Sequence, residues 1–198
     1  TQATTVLAAW SAGRRYRLRL PTAAEWEQAA HGGNPANRYS WGNSEVPDIV
    51  DNFAVVKETA GNVRGVRSIF GRSPSAFGLY DLHGNVAEWT LDQYEADTYA
   101  KLLDRLQANQ HSTKAIPANE AIHWPTKVFP RVIRGGSWLD PPHMLRSAAR
   151  YKSEEREWKL ADPNIPLSPW WYTEEAATAV GMRIIRPLKP LSDEEKKR

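Results

Sequence analysis

The stretch from Asn34 to Ser75 constrains the fold most, because it is long, rich in turn-forming residues and without a helical period. Turn-forming pairs and single glycines interrupt it at Gly42-Asn43, Pro47-Asp48, Asp51-Asn52, Gly61-Asn62 and Gly71. Such punctuation predicts irregular loops around very short strands. Long loops in a compact domain need to be held by ions, aromatic rings or polar networks. The chain is therefore predicted to be an α+β domain with abundant irregular loops.

Regular elements are predicted on either side of this stretch. Thr22 and Glu25 have the spacing of a capping box, so a helix is expected from Thr22 to about His31. Residues Asp97–Gln107 predict an amphipathic helix with leucines on one side. An earlier helix is expected at Val6–Ser11. Residues 83–90 are predicted to form a tight loop followed by a strand, and residues 132–138 a strand that runs into a glycine turn. A closing strand is predicted at 179–187.

Composition places the chain among ordinary globular domains. Its 198 residues, 41% hydrophobic and 25% charged, suit one domain over residues 1–191 with a charged tail at 192–198. The net charge of +3 is too small and scattered for a nucleic-acid surface. No apolar run approaches the roughly 18 residues of a membrane span. The chain has no cysteine, which excludes disulfides, thiolate nucleophiles and cysteine-bound metals.

Short motifs follow one another in order along most of the chain. They are Arg19–Glu27 (RLPTAAEWE), Tyr39–Asn43 (YSWGN), Phe77–Trp89 (FGLYDLHGNVAEW), Arg134–Trp138 (RGGSW), Arg146–Arg150 (RSAAR) and Val180–Arg183 (VGMR). Together they resemble the formylglycine-generating-enzyme, or sulfatase-modifying-factor (FGE-sulfatase), family. The resemblance implies a variant of the C-type-lectin-like fold. It also implies that the chain begins inside the helix that leads to the Leu-Pro-Thr motif, so the domain is expected to be N-terminally incomplete.

The resemblance also separates this chain from the copper oxidases of the family. Those members bind copper through two cysteines after the Gly-Gly-Ser-aromatic turn, at positions matched here by Asp140 and the neighbourhood of Met144. A soft copper(I) site needs thiolates or thioethers, so Met144 beside His143 is a poor substitute, and the alternative is an ordinary turn. The five histidines contain no HxxxH pair for iron. Formylglycine-generating oxidase activity is therefore excluded, and neither copper nor iron is expected.

Calcium is the cofactor that the resemblance implies. Matched residue by residue, its ligands would be the Asp81 side chain, the Gly84 and Val86 carbonyls and the Glu88 carboxylate. Carboxylates and carbonyls on a tight loop suit a hard cation with six to eight oxygen ligands. The alternative is that Asp81 and Glu88 cap loop amides without a metal. A second family site would begin at Asn52 and the Phe53 carbonyl, but its remaining carboxylate has no clear match in residues 54–66.

Two further groups of side chains are candidates for either a structural role or a binding role. Four arginines are expected beside the core, paired with Glu25, Glu88 or Asp92; they are Arg134, Arg146, Arg150 and Arg183. The alternative for them is an anion-binding pocket. Trp170, Trp171 and Tyr172 follow a proline-rich loop and form a candidate platform for a partner or ligand. The alternative for these aromatics is packing of that loop onto the core.

The retained framework without redox ligands favours a non-catalytic binding or scaffold domain. We expect an accessory subunit of a larger extracytoplasmic assembly, periplasmic or at the cell surface, with other protein subunits as partners. Neither nucleic acid nor direct membrane contact is expected; a membrane would be reached through partners or a missing N-terminal segment. One alternative is a substrate-pocket domain for an iron-dependent sulfoxide synthase-like enzyme, with the iron on another domain. Another alternative is a lectin-like carbohydrate-binding module.

Overall fold

The computed structural model describes residues 18–59, 65–108, 122–127, 130–153 and 179–187. In chain order these contain α1 (Ala23–Ala30), α2 (Pro47–Phe53), β1 (Ala87–Gln93), α3 (Thr98–Ala108), β2 (Arg131–Arg134), a 3₁₀ helix (Pro142–Leu145), β3 (Tyr151–Lys152) and β4 (Val180–Met182). Among them, no helix is both long enough and apolar enough to span a bilayer. The helix expected at Val6–Ser11 lies outside the described residues. The architecture is α+β with long irregular connections, as the sequence predicts.

Helix α1 forms where the capping box predicts it. The Thr22 hydroxyl accepts a bond from the Glu25 amide at 3.1 Å, and the Glu25 carboxylate accepts one from the Thr22 amide at 2.8 Å. The chain leaves the helix at Gly32, whose φ of 61° is a left-handed conformation that glycine adopts without steric strain. Trp26 and Ala30 on the inner face are buried against the core. The local signals and the hydrophobic face therefore agree.

Four short strands form one sheet in the order β3-β2-β1-β4. The central strand β1 pairs antiparallel with β2 and parallel with β4. Its register places Glu88 opposite Arg134 on one side and Gly181 on the other. Every residue of β1 except Trp89 is buried. The strand is therefore covered on both faces, and its polar side chains must find partners inside the protein.

Helix α2 differs from the sequence prediction, which expected no helix between Asn34 and Ser75. Pro47 begins it, where a missing N–H donor costs nothing, and Asp48 in the first turn suits the helix dipole. Of its seven residues, only Val50 is buried. A helix of two turns is too short for a hydrophobic period to emerge in the sequence. The prediction of irregular loops is therefore wrong at this point.

Close backbone contacts join the loops to the sheet. A Cβ atom on Gly84 would lie 2.2 Å from the Val55 carbonyl oxygen, and one on Gly135 would lie 2.7 Å from the Leu82 carbonyl oxygen. The Asn85 amide donates to the Val55 carbonyl at 2.8 Å, and the Gly84 amide donates to the Gly135 carbonyl at 2.9 Å. The loop before β1 is thus held between the segment after α2 and the turn after β2.

Candidate functional site

The loop before β1 contains His83, a fully buried histidine surrounded by aromatic rings. Its ring meets Trp26, Tyr39 and Trp41 edge-on, with centroids 6.1, 5.8 and 5.0 Å away. The Ser40 amide donates to Nε2 at 2.9 Å, so Nδ1 carries the proton and donates to the Leu145 carbonyl at 2.7 Å. Burial lowers its pKa to about 4. His83 is therefore a neutral structural link between two loops.

Glu88 in β1 is the next buried polar group. Its Oε2 accepts bonds from Trp26 Nε1 at 2.7 Å and from Arg183 Nε at 3.0 Å, and its Oε1 accepts from a terminal nitrogen of Arg183 at 2.7 Å. Arg183 also donates to the Tyr80 carbonyl at 2.8 Å. Burial raises the pKa of Glu88, and Arg183 opposes that shift. The expected pairing of Arg183 with Glu88 is confirmed, and it ties β4 to α1.

Arg134 is also buried, but with a partner other than the three predicted. It bonds to the Glu27 carboxylate, donates to the Ala149 carbonyl at 2.6 Å and the Ala23 carbonyl at 3.0 Å, and lies 5.5 Å from the Trp26 ring centre. The prediction of Glu25, Glu88 or Asp92 as its partner is wrong, because these three carboxylates accept bonds from Arg19, Arg183 and the Ala23 amide instead.

The other two acids assigned to the arginines, Glu25 and Asp92, bond to other groups. Glu25 is bonded to Arg19 at 2.7 Å through both carboxylate oxygens, and Asp92 accepts from the Ala23 amide at 2.7 Å. The guanidinium group of Arg150 stacks on Tyr99, 4.7 Å from the ring centre. Arg134, Arg150 and Arg183 thus have the structural role expected of them, whereas Arg146, which was expected beside the core, is exposed.

The predicted calcium loop uses its polar side chains to hold a neighbouring loop. Asp81 Oδ2 accepts a bond from the Phe70 amide at 2.9 Å. The Asn85 side chain accepts from the Arg67 amide at 2.8 Å and donates to the Arg67 carbonyl at 3.1 Å. Asp81 and Asn85 both have a positive φ, 54° and 61°. The alternative assignment, a carboxylate that caps loop amides, thus describes Asp81 in this structure.

The donor set of this loop fits calcium in its chemistry. Burial is the main cause of the raised pKa of Glu88, and the charge of Asp81 adds to it. Carboxylate and carbonyl oxygens are the ligands that calcium prefers. Arg183 already neutralises part of the charge on Glu88, so a cation would share that carboxylate with the guanidinium group. In the described residues, no three His, Asp or Glu side chains converge on one point.

The other predicted site residues are Asn52, Phe53 and the aromatic trio. Asn52 and Phe53 end α2, where the Asn52 carbonyl accepts a bond from the Ser73 amide at 2.8 Å and the Phe53 ring stacks on Trp41, 5.4 Å between centres. The trio Trp170, Trp171 and Tyr172 lies outside the described residues.

The turn after β2, where the resemblance implies the copper ligands of the oxidases, is closed here by an acid. Asp140 Oδ2 accepts bonds from the Ser137 amide and hydroxyl, both at 2.8 Å. Met144 packs against the apolar cluster around Tyr39 and Leu145, so its thioether lies against the core. Protein contacts thus hold this turn and the segment that follows it.

An open groove of about 200 Å³ lies between α3 and residues 122–123. It is lined by Lys101, Arg105 and His123 among others. Glu95 lies 2.9 Å from Lys101 Nζ and 3.3 Å from His123 Nδ1. The groove contains no residue that the sequence predicted for a site.

Sequence comparisons agree with the motifs. The model of the sulfatase-modifying factor enzyme 1-like domain matches residues 4–159. The formylglycine-generating enzyme of Thermomonospora curvata is 34% identical over 128 residues, 61% of this chain and 38% of that protein. The inactive C-alpha-formylglycine-generating enzyme 2 of Bos taurus is 33% identical over 140 residues, 66% of this chain and 37% of that protein. Similarity alone therefore does not separate a catalytic relative from an inactive one.

Two further comparisons concern domain context and fold. The serine/threonine-protein kinase pkn1 of Chlamydia pneumoniae is 35% identical over 135 residues, 68% of this chain but 18% of that protein. The chain thus spans well under half the length of these relatives. The structure of PvdO from Pseudomonas aeruginosa has the same fold, with a TM-score of 0.59 and 24% identity over 76% of this chain and 52% of that one. The chain belongs to the sulfatase-modifying factor enzyme 1-like (FGE-sulfatase) family.

Proposed function

We propose that this chain is a non-catalytic binding or scaffold domain and an accessory part of a larger extracytoplasmic protein assembly, periplasmic or at the cell surface. The observation that carries the proposal is the turn at Asp140. Where the oxidases place a copper-binding cysteine, this acid bonds to Ser137 and stabilises the turn. The scaffold of the family is thus kept while the residues that would perform its redox chemistry are replaced.

The experiment is native mass spectrometry of the full-length protein isolated from its natural host, combined with metal analysis. We expect a complex of fixed stoichiometry with other protein subunits and no copper or iron. A protein that travels alone would contradict the proposal. Stoichiometric iron in the complex would favour the substrate-pocket alternative, and selective binding on a glycan array would favour the lectin-like one.

We also propose that calcium stabilises the domain through the loop before β1. Asp81 and Glu88 would supply carboxylates, and Gly84 and Val86 would supply carbonyls. When bound, the ion would supply positive charge to these carboxylates. The measurement is thermal unfolding with calcium, with magnesium and with a chelator.

The matched variants are Asp81→Asn, which removes one carboxylate of the loop, and Asp104→Asn on α3. Calcium is expected to raise the unfolding temperature of the unmodified protein and of Asp104→Asn, but not that of Asp81→Asn. Because Asp81 also holds the Phe70 amide, the readout is the difference with and without calcium in each variant. An unmodified protein that does not respond to millimolar calcium would overturn the proposal.

A further inference from the structure

A row of four apolar side chains crosses the whole sheet. Trp89 of the central strand is in register with Ile133 of β2 and with Met182 of β4. Ile133 is in register in turn with Tyr151 of β3. Residues in register share a face of the sheet, so these side chains lie side by side. Trp89, Ile133 and Tyr151 are partly exposed and Met182 is 53% exposed, so the row is an incompletely covered apolar surface.

Helix α1 packs on the opposite face of the sheet. Glu88 in β1 bonds to Trp26 of α1, and Arg134 in β2 bonds to Glu27 of α1. Because consecutive side chains of a strand point to opposite faces, the apolar row, one residue away on each strand, points away from α1. Arg131 shares the face of the row, but it is 4% exposed and donates to a backbone carbonyl of β1 at 2.9 Å.

The chain must cross this sheet between β3 and β4. The pairings make β3 and β4 parallel to each other, and they lie at opposite edges. Parallel strands are joined by a crossover that passes over one face of the sheet. The Ser153 amide donates to the Arg131 carbonyl at 2.8 Å, and the Ala87 amide donates to the Ala179 carbonyl at 2.9 Å, so both ends of the connection are fixed. Since α1 occupies one face, residues 154–178 are left with the face of the apolar row.

The sequence of this connection, which lies outside the described residues, suits that face. Residues 163–173 contain no charged side chain, and their large apolar residues are Ile165, Leu167, Trp170, Trp171 and Tyr172. The width of the sheet is about 14 Å, which about five extended residues span, so the connection is long enough to lie on the sheet. The prolines at 163, 166 and 169 reduce the conformational entropy that is lost when the segment is ordered.

We propose that residues 163–173 pack across the face of the sheet opposite α1, with Trp170 and Trp171 against Trp89 and Met182. These two tryptophans shortly precede β4, the strand that carries the most exposed residue of the apolar row. The aromatic trio that the sequence offers as a platform for a partner thus belongs to the interior of its own domain. The inference does not rest on the accessory function, and it removes these aromatics from the surfaces that could serve it.

The first test places a photoreactive phenylalanine at position 182 or, as a control, at position 103 in the full-length protein. Leu103 on α3 is a matched position, since it is also 53% exposed. We expect cross-links from position 182 to map to residues 163–173 of the same chain, and those from position 103 to map elsewhere. A mixture of isotope-labelled and unlabelled protein separates links within one chain from links between two copies. Links from position 182 to another protein or to a second copy, or none to residues 163–173, would overturn the proposal.

Hydroxyl-radical footprinting measures the two tryptophans directly. In the unmodified protein, Trp170 and Trp171 should be oxidised about fivefold more slowly than Trp124, which is 46% exposed. Met182→Asp introduces a charge into the apolar contact and should raise their oxidation about threefold, whereas Leu103→Asp should not change it. Oxidation of Trp170 and Trp171 at the rate of Trp124 in the unmodified protein would rule out this packing, even if Met182→Asp does not fold. Native mass spectrometry of the complex is a separate measurement, so the accessory function stands or falls independently.

Discussion

At the scale of single residues, buried polar side chains in this domain connect loops that have little regular structure. His83 joins the Ser40 and Leu145 segments, Arg134 joins α1 to the segment at Ala149, and Glu88 joins α1 to Arg183. Each is buried, so its bonds form away from competing water. Polar pairs thus provide cohesion that longer strands would provide in a more regular fold.

The first prediction concerns acid. His83 has a pKa of about 4 in the folded protein against about 6.5 in the unfolded chain, so the unfolded chain binds the proton first as pH falls. The contribution of neutral His83 is fully present above about pH 6.5 and is lost progressively down to about pH 4. The expected loss is about 3 kcal/mol of unfolding free energy. Urea denaturation at several pH values measures it.

The control for this prediction is His83→Gln. Glutamine keeps one donor for the Leu145 carbonyl and one acceptor for the Ser40 amide but does not titrate. Burial raises the pKa values of Glu88 and Asp92, so those groups favour folding as pH falls, and they remain in both proteins. The difference between the two curves therefore isolates His83. Parallel curves between pH 7 and 4.5 would disprove the assignment.

The second prediction compares two arginine–glutamate pairs with similar distances and different burial. Arg183→Met leaves Glu88, whose side chain is 7% exposed, without its cation, and should cost about 2 kcal/mol or more. Arg19→Met affects Glu25, whose side chain is 43% exposed, and should cost at most about 1 kcal/mol. Chemical denaturation of both variants measures the costs. Equal costs would show that burial of the acid does not govern the pair.

At the scale of elements, what could be predicted depended on how local the signal was. The capping box of α1 lies within four residues, so Thr22 and Glu25 were sufficient to place it. Helix α2 was missed because it buries Val50 alone. The partner of Arg134 is Glu27, two residues after Glu25 on α1, and that choice depends on how α1 packs on β2. The bond from the Phe70 amide to Asp81 joins residues 11 positions apart, and no local pattern in the sequence predicts it.

The third prediction tests the junction between the loop before β1 and the segment after α2. Gly84 and Gly78 have nearly equal φ values, 73° and 71°, but only Gly84 would place a Cβ against backbone, 2.2 Å from the Val55 oxygen. Gly78→Ala should therefore cost about 1 kcal/mol from the backbone conformation alone. Gly84→Ala should cost about 3 kcal/mol or more, because the two segments must separate. Similar unfolding midpoints in urea would contradict the close junction.

At the scale of the whole molecule, burial is uneven. Helix α1, strands β1 and β2 and the apolar cluster around Tyr39, Val50 and Leu145 supply the buried side chains, whereas α3 has no buried residue. The sequence predicted α3 correctly as an amphipathic helix, but its leucines Leu103 and Leu106 remain exposed. A period in the sequence shows that a helix has an apolar face, and it does not show what covers that face.

The fourth prediction follows from the difference in burial between α3 and β1. Tyr99 attaches helix α3 to the rest of the domain. Its hydroxyl donates to Glu27 at 3.3 Å, and its ring packs against the guanidinium group of Arg150. Because such contacts bury little apolar surface, the amides of α3 should exchange hydrogen through local opening, at a lower free energy than those of β1. Tyr99→Ala should accelerate exchange in α3 and leave β1 unchanged. Exchange of both elements at one common free energy, measured by mass spectrometry, would show instead that α3 unfolds only with the whole domain.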